Sequence, residues 1–186
     1  MSELKGTKVA ILATHGFEES ELTSPKKALE AQGIEVHVVA PERGSIRAWA
    51  ETDWGAEYPV DKTLDEVSAD DYDALQLPGG LFNPDTLRGN EQALEFTRAF
   101  FKAGKPVGAI CHAPWILINA EVVEGRRLTS VASVSQDLTN AGAKWEDAEV
   151  VCDSALVTSR TPADLNAFNA KLIEEIKEGK HRKQHA

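Results

Sequence analysis

Two neighbouring residues, Cys111 and His112, are the strongest candidates for chemistry in this sequence. They follow Pro106 to Ile110, a short uncharged run that is typical of a strand buried on both faces. Pro114 then suits the first turn of a helix, because its missing N–H is not needed there. A thiol at this junction lies near unpaired N–H groups and the positive end of a helix, and both favour an anion. We therefore predict a nucleophile elbow, with Cys111 as the nucleophile and a thiol pKa below its ordinary value.

A cysteine nucleophile commonly needs a base, and histidine is the usual choice. His112 is adjacent to the thiol, and His15 follows the first predicted strand, although a loop histidine is often simply exposed. His37 lies inside a predicted strand and is expected to be satisfied where it is. Cys152 has no adjacent base and no helix start, so we interpret it as structural. Two further histidines lie in the tail, His181 and His185.

Acidic residues cluster after the first predicted strand, where the positive end of a helix alone would favour them. Beside a thiolate, one carboxyl would be driven towards its protonated form and could donate a hydrogen bond to sulfur. Glu18 and Glu21 are three residues apart on one helical face, so either can be that group. Gly79 and Gly80 form either an ordinary turn or, with the N–H of His112, an oxyanion hole.

Composition and spacing exclude several other classes of function. Adjacent Cys and His residues rarely ligate one zinc ion, and no other Cys or His spacing supports a site, so we expect no metal and no cofactor. Gly79 and Gly80 lack the Lys-Ser or Lys-Thr of a phosphate-binding loop. The formal net charge of −10 argues against nucleic acid or an anionic membrane as the main partner. No apolar run is long enough to span a membrane, and two dissimilar cysteines fit a reducing cytoplasm.

Strand-like runs alternate with helical patterns along the 186 residues, which predicts a single α/β domain. We expect its core to span about residues 7–179 and the basic tail, residues 180–186, to be disordered. The predicted strands are Lys8 to Thr14, Ile34 to Ala40, Asp73 to Pro78, Pro106 to Ile110 and two short strands within Glu149 to Ser159. The first predicted helix ends at Gln32, with a kink or a fresh start at Ser24-Pro25. The other predicted helices cover Asn90 to Ala103, Trp115 to Ile118, Ser133 to Ala141 and Pro162 to Glu178, the last capped by Thr161.

The segment from Pro41 to Tyr58 is predicted to be turn-rich, with a small hairpin that finishes at Pro59 to Asp61. In a parallel sheet with helices on both faces, ligands bind outside the carboxyl ends of the strands. Three loops are expected at that edge, and together they hold all the candidate residues: His15 to Glu21, Gly79 to Arg88 and Cys111-His112.

These segments together resemble the ThiJ/PfpI superfamily, most closely its branch of PfpI-type intracellular proteases and general stress proteins. The Ile-Cys-His-x-Pro core is the most specific element, whereas Pro-Gly-Gly alone would be weak. The matching pieces run in order over nearly the whole chain: Lys8-Val-Ala-Ile-Leu, Phe17-Glu-Glu-Ser-Glu-Leu, Leu77-Pro-Gly-Gly, Asn83-Pro-Asp-Thr-Leu-Arg, Gly104-Lys-Pro-Val-Gly-Ala-Ile-Cys-His-Ala-Pro, Asn140-Ala-Gly-Ala and Thr158-Ser-Arg-Thr-Pro-Ala-Asp-Leu.

The resemblance implies a flavodoxin-like three-layer sandwich with a reactive Cys111 partnered by His112. It implies that a nearby acid comes from the first helix, Glu21 first and Glu18 second, and that Gly80 and His112 form the oxyanion hole. It also implies a homo-oligomer, a dimer or hexamer, in which Asp85 reaches the His112 of a neighbouring subunit. The chain departs from the branch at two positions, with Ala113 where Gly is common and Asp rather than Glu at position 85.

The activities attached to this family are peptidase, glyoxalase III-type conversion of methylglyoxal, deglycation of early adducts, and stress protection. The catalytic versions share one step, the attack of a thiolate on a carbonyl carbon. We therefore expect a cysteine-dependent hydrolase that acts on a small carbonyl compound or a peptide. The alternative is a non-catalytic redox sensor or chaperone, in which Cys111 is oxidised to a sulfinate and held by Glu21. An amidotransferase-like function is less favoured, since no downstream His-x-Glu partner exists.

Overall fold

The computed structural model describes residues 4–180. The strands within this range are β1 (Lys8–Leu12), β2 (Glu35–Ala40), β3 (Ser45–Ala50), β4 (Asp53–Pro59), β5 (Lys62–Thr63), β6 (Ala74–Leu77), β7 (Val107–Ile110), β8 (Arg127–Leu128), β9 (Lys144–Trp145), β10 (Val151–Asp153) and β11 (Leu156–Ser159). The α-helices are α1 (Glu19–Glu30), α2 (Phe82–Leu87), α3 (Glu91–Lys102), α4 (Pro114–Asn119), α5 (Ser135–Asn140) and α6 (Leu165–Glu178). Short 3₁₀ turns cover Leu64–Glu66, Ala69–Asp71, Ala132–Val134 and Pro162–Asp164.

Seven strands form one sheet in the order β10-β11-β7-β6-β1-β2-β5, and only β10 runs antiparallel to its neighbour. Helices cover both faces of this sheet. One hydrophobic core takes its side chains from α3, α4 and α5, and the other takes them from α1 and α6. The predicted flavodoxin-like α/β fold is therefore confirmed.

Three adjacent parallel strands, β1, β6 and β7, end at the same edge of the sheet. Their registers pair Ile11 with Gln76 and Leu77 with Ala109, so the loops that follow them emerge side by side. Strand β11 pairs Ser159 with Ile110 and closes the same edge on the other side of β7. This arrangement brings the segments that begin at residues 13, 78, 111 and 160 together, where ligands bind in open α/β sheets.

Gly108 on β7 allows α6 to pack directly on the strand. A Cβ atom at this position would lie 2.9 Å from Phe168 Cζ and 3.2 Å from Leu172 Cδ1. Both side chains are fully buried members of the core beneath α6. The side chains of α6 therefore pack directly on the backbone of Gly108, and this contact sets the distance between α6 and the strand that leads to Cys111.

The structure corrects two local predictions. The segment predicted to be turn-rich forms a full antiparallel hairpin of β3 and β4, separate from the main sheet. Thr161 precedes the closing helix as expected, but its side chain makes no capping hydrogen bond, and the segment from Pro162 to Asp164 is a 3₁₀ turn. The Asp164 carboxylate instead binds the backbone N–H and the guanidinium group of Arg160.

The prediction for His37 is confirmed, whereas the fresh helix start predicted at Ser24-Pro25 is absent, since α1 runs unbroken from Glu19 to Glu30. His37 is satisfied where it is, because its Nδ1 lies 3.0 Å from the Tyr72 hydroxyl and its Nε2 lies 2.8 Å from the Glu35 carboxylate. Pro25 stands inside α1, and the helix continues past it. No helix among residues 4–180 is long and apolar enough to cross a membrane. Most of the predicted basic tail, residues 181–186, lies outside the described residues.

The tight contact at Gly108 predicts the outcome of a single substitution. Gly108→Ala places a methyl group where Phe168 and Leu172 already pack, so it should destabilise the fold by about 1–3 kcal/mol. Gly89→Ala is the matched control, because a Cβ atom there would meet only Thr86 O, at 3.6 Å. Urea unfolding followed by circular dichroism measures both. Equal stabilities for the two variants would show that α6 does not press on β7 as described.

Candidate active site

Cys111 occupies a sharp corner between β7 and α4. Its φ angle is 64°, a left-handed conformation that is strained for a residue with a side chain. The corner is held on both sides: Cys111 N–H donates to Ser159 O at 3.1 Å, and Cys111 O accepts from Val131 N–H at 3.0 Å. The predicted elbow is therefore present, and the backbone around it fixes the direction of the thiol.

His112 lies beside the thiol, with 3.3 Å between its Nδ1 and Cys111 Sγ. Its ring packs against Trp115, with 5.0 Å between the ring centroids. Burial lowers the pKa of His112, which favours the neutral imidazole at neutral pH. A neutral ring nitrogen at this position can accept the proton of the thiol.

Glu21, rather than Glu18, is the carboxyl next to Cys111. It is completely buried, and its Oε1 accepts the N–H of Gly79 at 3.0 Å. Gly79 has no room for a side chain, because a Cβ atom would lie 2.6 Å from both Cys111 Cβ and Glu21 Oε1. The other carboxyl oxygen of Glu21 has no hydrogen-bond partner among the described residues.

The position of Glu21 is fixed by an unusual feature of α1. Residue 25 of a regular helix would donate its N–H to the carbonyl of Glu21, but Pro25 has none. That carbonyl instead accepts the side-chain amide of Gln76 at 3.1 Å, and Gln76 is buried in the centre of β6. Because Pro25 leaves this carbonyl free, the hydrogen bond from Gln76 can join the first turn of α1 to the middle of the sheet.

The electrostatics of the Glu21–Cys111 pair favour protons on both groups at neutral pH. Burial, reinforced by the nearby charge of Glu18, raises the pKa of Glu21 to about 8. Burial and the Glu21 carboxylate raise the pKa of the Cys111 thiol. The predicted depression of the thiol pKa is therefore wrong for the resting site. The N–H groups of Gly80 and His112 do lower it, as expected, but desolvation and the neighbouring carboxylate outweigh them.

Gly80 places its N–H at the sulfur through a conformation that only glycine adopts easily. Its φ angle is 80°, and a Cβ atom there would lie 2.7 Å from Glu18 N. The N–H groups of Gly80 and His112 both point towards Cys111 Sγ closely enough to lower its pKa. The oxyanion hole of Gly80 and His112 stays a prediction, and the N–H of Gly79 is already used by Glu21.

The β3–β4 hairpin lies over the loop that leaves β1. Gly16 N–H donates to Arg47 O at 2.8 Å, and Trp49 N–H donates to Phe17 O at 2.7 Å. Glu18 reaches the hairpin as well, accepting the N–H of Glu51 at 3.3 Å. Burial raises the pKa of Glu18. Glu18 is therefore a link between the hairpin and the site rather than a partner of the thiol.

The hairpin, α2 and the elbow enclose a cavity of about 270 Å³ with the thiol in its wall. Five of the residues that line it were predicted for the site and four were not. The predicted ones are Glu18, Glu21, Gly80, Cys111 and His112. The residues not predicted for the site are Trp49, Leu81, Phe82 and Pro162.

Three predicted site residues do not line this cavity: His15, Asp85 and Gly79, whose N–H is bound by Glu21. His15 is exposed, and its Nδ1 accepts the N–H of Arg47 at 3.0 Å, so within one subunit it supports the hairpin. Asp85 is exposed on α2 and pairs with Arg88, whose Nη2 lies 2.6 Å from Asp85 Oδ1. Arg88 in turn lies over the Trp115 ring, 4.4 Å from its centroid.

Asn83 is a supporting residue that the sequence did not reveal. It is fully buried in α2, and its Nδ2 donates to Pro78 O at 3.0 Å and to Gly79 O at 3.2 Å. Its Oδ1 accepts the N–H of Thr14 at 2.7 Å. One amide therefore ties together the loops that follow β1 and β6.

A possible metal-binding group and the second cysteine both lie apart from Cys111. Within the described residues, the one group of three side chains that could hold a metal is Glu174, Glu175 and Glu178 on α6, and it contains neither Cys111 nor His112. Cys152 lies on β10 beside Glu175, and burial and that carboxylate raise the pKa of its thiol to about 12. Both cysteines are free thiols.

Comparison with known proteins gives a consistent result. The DJ-1/PfpI family matches residues 7–175 of the chain. General stress protein 18 of Bacillus subtilis (strain 168) is 46% identical over 170 residues, which cover 90% of this chain and 96% of that protein. The putative cysteine protease YraA of the same organism is 44% identical over 170 residues, which cover 91% and 98% of the two chains.

Two further relatives extend this comparison. Protein/nucleic acid deglycase 2 of Escherichia coli (strain K12) is 46% identical over 167 residues, which cover 89% of this chain and 95% of that protein. The crystal structure of Drosophila melanogaster DJ-1beta superposes with a TM-score of 0.84 at 29% identity, covering 92% of this chain and 90% of that one.

The raised pKa of Glu21 predicts how stability depends on pH. The folded state holds this proton up to about pH 8, whereas an ordinary carboxyl releases it near 4.5. The stabilisation is therefore complete below the ordinary value and is lost as the pH rises to about 8. Glu21→Gln mimics the protonated form, so it should match the wild type at pH 4.5 and exceed it at pH 8.5 by on the order of a few kcal/mol.

Urea unfolding at the two pH values measures this difference. Glu42→Gln is the matched control, because Glu42 is exposed and its substitution should have no pH-dependent effect on stability. A constant difference between Glu21→Gln and the wild type at both pH values would mean that Glu21 is not protonated in the folded protein.

Proposed function

The chain belongs to the DJ-1/PfpI family, and we propose that it is a stress-related hydrolase whose Cys111 attacks the carbonyl carbon of a small 2-oxoaldehyde or its adduct. The observation that carries this proposal is the position of Cys111 Sγ, 3.3 Å from His112 Nδ1 in the wall of a cavity of about 270 Å³. A cavity of this size suits a small molecule better than an extended peptide. The names of the relatives, a deglycase, a putative cysteine protease and a general stress protein, support the same class.

The attack begins from a neutral pair. The thiol holds its proton because burial raises its pKa, and His112 is neutral because burial lowers its own. Nδ1 accepts the proton as sulfur bonds to the carbonyl carbon, and the carbonyl oxygen becomes an oxyanion. The N–H groups of Gly80 and His112 stabilise that oxyanion. Protonated Glu21 favours this step, since a carboxylate there would repel the developing charge on sulfur.

The reaction of a 2-oxoaldehyde needs only water. Addition of sulfur to the aldehyde carbon gives a hemithioacetal, and transfer of hydrogen from this carbon to the neighbouring ketone carbon gives a 2-hydroxy thioester. Water hydrolyses the thioester to a 2-hydroxy acid and restores the thiol. One carbon is oxidised and its neighbour is reduced, so no external oxidant takes part. An amine adduct follows the same route after the amine has left.

This proposal predicts a specific pattern of activity. We expect turnover of methylglyoxal and of its early adduct with N-acetyl-lysine, measured as release of lactate, and no cleavage of casein. Cys111→Ser should lower kcat/KM by at least about 10³-fold, because the nucleophile and its proton transfer are both lost. Cys152→Ser is the matched control and should retain the activity. Equal losses in the two variants, or casein cleavage without lactate formation, would contradict the proposal.

Redox sensing is the second candidate, and one observation favours it. The carboxyl oxygen of Glu21 that has no partner among residues 4–180 is well placed to donate a hydrogen bond to an oxidised Cys111 sulfur. In that case peroxide would convert Cys111 to the sulfinate and create an activity, such as suppression of aggregation, that the reduced protein lacks. Lactate formation by the reduced protein favours the enzyme, and a function that appears only after oxidation favours the sensor.

We further propose that the protein is a homo-oligomer in which Asp85 completes the site of a neighbouring subunit by binding its His112. Within one subunit Asp85 makes both of its hydrogen bonds to Arg88 through Oδ1 alone, and α2 presents the carboxylate at the surface. A base in a nucleophile–base–acid site needs such an orienting carboxylate.

We place the activity in the cytoplasm, where two free thiols remain reduced.

Mixing two inactive variants tests this assembly. Cys111→Ser subunits carry an intact Asp85, and Asp85→Ala subunits carry an intact Cys111 and His112. Mixed dimers should therefore recover roughly a quarter to a half of the wild-type rate per subunit. Asp70→Ala, another exposed carboxylate change, is the control partner that should be fully active alone. Full activity of Asp85→Ala by itself, or no recovery despite subunit exchange seen by mass spectrometry, would exclude the contact.

A further inference from the structure

The large apolar side chains that are exposed on residues 4–180 all lie at one place. They are Trp54, Leu81 and Phe82, which are 41%, 53% and 49% exposed. Leu81 and Phe82 line the cavity that holds Cys111, and Trp54 stacks on Phe82 with 5.9 Å between the ring centroids and 9° between the planes. Exposed apolar patches of this kind commonly mark ligand-binding grooves or contacts between proteins, and Phe82 shares α2 with Asp85, for which we propose a contact with a neighbouring subunit. The mouth of the cavity therefore holds the exposed large apolar side chains of the described residues.

We call Trp49, Trp54 and Phe82 the aromatic rim. Trp49 lines the cavity and meets Trp54 and Phe82 edge to face, at centroid distances of 5.5 and 5.9 Å. The indole N–H of Trp49 donates to Glu51 O at 3.0 Å, which fixes the ring. Gly16 makes room for Phe82, because a Cβ atom at Gly16 would lie 2.5 Å from Phe82 Cβ. The rim is thus a built feature, held by the hairpin on one side and by the β1 loop on the other.

The charges of the cavity complement this apolar mouth. Among the described residues that line it, Glu18 and Glu21 carry the carboxyl groups, of which Glu21 keeps its proton at neutral pH, and neither Lys nor Arg contributes. An anionic substrate would meet the Glu18 carboxylate and no cation among these lining residues, so its binding would be disfavoured. A neutral substrate with a flat apolar group could place its carbonyl at Cys111 and lay that group against the ring faces.

We infer that the aromatic rim determines specificity, selecting an uncharged carbonyl compound whose reactive carbonyl carries a planar apolar or aromatic group. This inference rests on the proposed function and narrows its substrate class. The rim contacts the substrate away from the reacting atoms, so it contributes binding and not chemistry. Arg47, whose guanidinium carbon lies 5.5 Å from the centroid of the Trp54 ring, covers part of that ring.

Binding of stable product analogues tests the rim without any turnover. The probes are mandelamide, lactamide and mandelate, which are respectively aromatic and neutral, small and neutral, and aromatic and anionic. Their dissociation constants are measured at pH 7.5 on Cys111→Ala protein by quenching of tryptophan fluorescence, with Cys111→Ser as a second background. We expect mandelamide to bind at least about tenfold more tightly than lactamide and than mandelate.

Substitutions at the rim should then remove this selectivity. Phe82→Ala should reduce the preference for mandelamide over lactamide to less than about threefold, and Phe82→Leu should leave an intermediate preference. Ile173→Ala, a half-buried apolar change on α6, is the matched control and should leave the preference unchanged. Glu18→Gln should strengthen mandelate binding without affecting lactamide.

Three results would overturn the inference. Equal affinities for mandelamide and lactamide would show that the rim does not select aromatic groups, and mandelate binding as tight as mandelamide would remove the charge argument. A lower sedimentation mass for Phe82→Ala with unchanged selectivity would assign the rim to contact between copies of the chain. Selective binding without lactate or mandelate formation from methylglyoxal or phenylglyoxal by the wild type would instead uphold the rim and contradict the proposed reaction.

Discussion

The burial of one carboxyl against one sulfur is the constraint on which this site depends. Glu21 is held by the N–H of Gly79, and the same glycine leaves no space between Glu21 and Cys111 for any side chain. Because the carboxyl is fully buried, it keeps its proton at neutral pH and is therefore not a repelling charge beside the sulfur. The geometry of α1, the turn after β6 and the elbow after β7 all follow from keeping these groups in contact.

Two interior amides hold the elements that make this contact. Gln76 binds the carbonyl that Pro25 leaves free in α1, and Asn83 binds the loops that follow β1 and β6. Buried polar side chains of this kind are costly unless they are hydrogen-bonded. These hydrogen bonds join α1 to β6 and the loop after β1 to the loop after β6. The site residues are therefore held rigidly, although several of them lie on loops.

The sequence predicted the parts of the site that have a local signature. The apolar run before Cys111 and the proline at the start of α4 identify the elbow, and the alternation of strands and helices identifies the fold. The sequence predicted only a small hairpin that finishes at Pro59 to Asp61. The full extent of β3 and β4 was missed because their two-residue connection, Glu51-Thr52, carries no Asn-Gly or Asp-Gly signal, although Glu51 adopts a φ angle of 58°. Trp49 on β3 and Phe82 on α2 were not predicted for the site, because their positions depend on contacts between segments that are distant in the sequence. The thiol pKa was misjudged for a similar reason, since desolvation depends on the whole surroundings and local sequence does not report it.

The β3–β4 hairpin pairs with no strand of the main sheet, and it is joined to the body largely through the β1 loop and the first turn of α1. It supplies part of the cavity mouth but no group at the sulfur. Insertions, deletions and exchanges in this element can therefore alter which molecules enter while the reacting atoms stay in place. Such a division lets recognition vary at the outer face of the hairpin, whereas Ile46 and Ala48 on its inner face belong to the hydrophobic core and are constrained by folding. The same division makes the hairpin a natural cassette for directed evolution of new specificities on this scaffold.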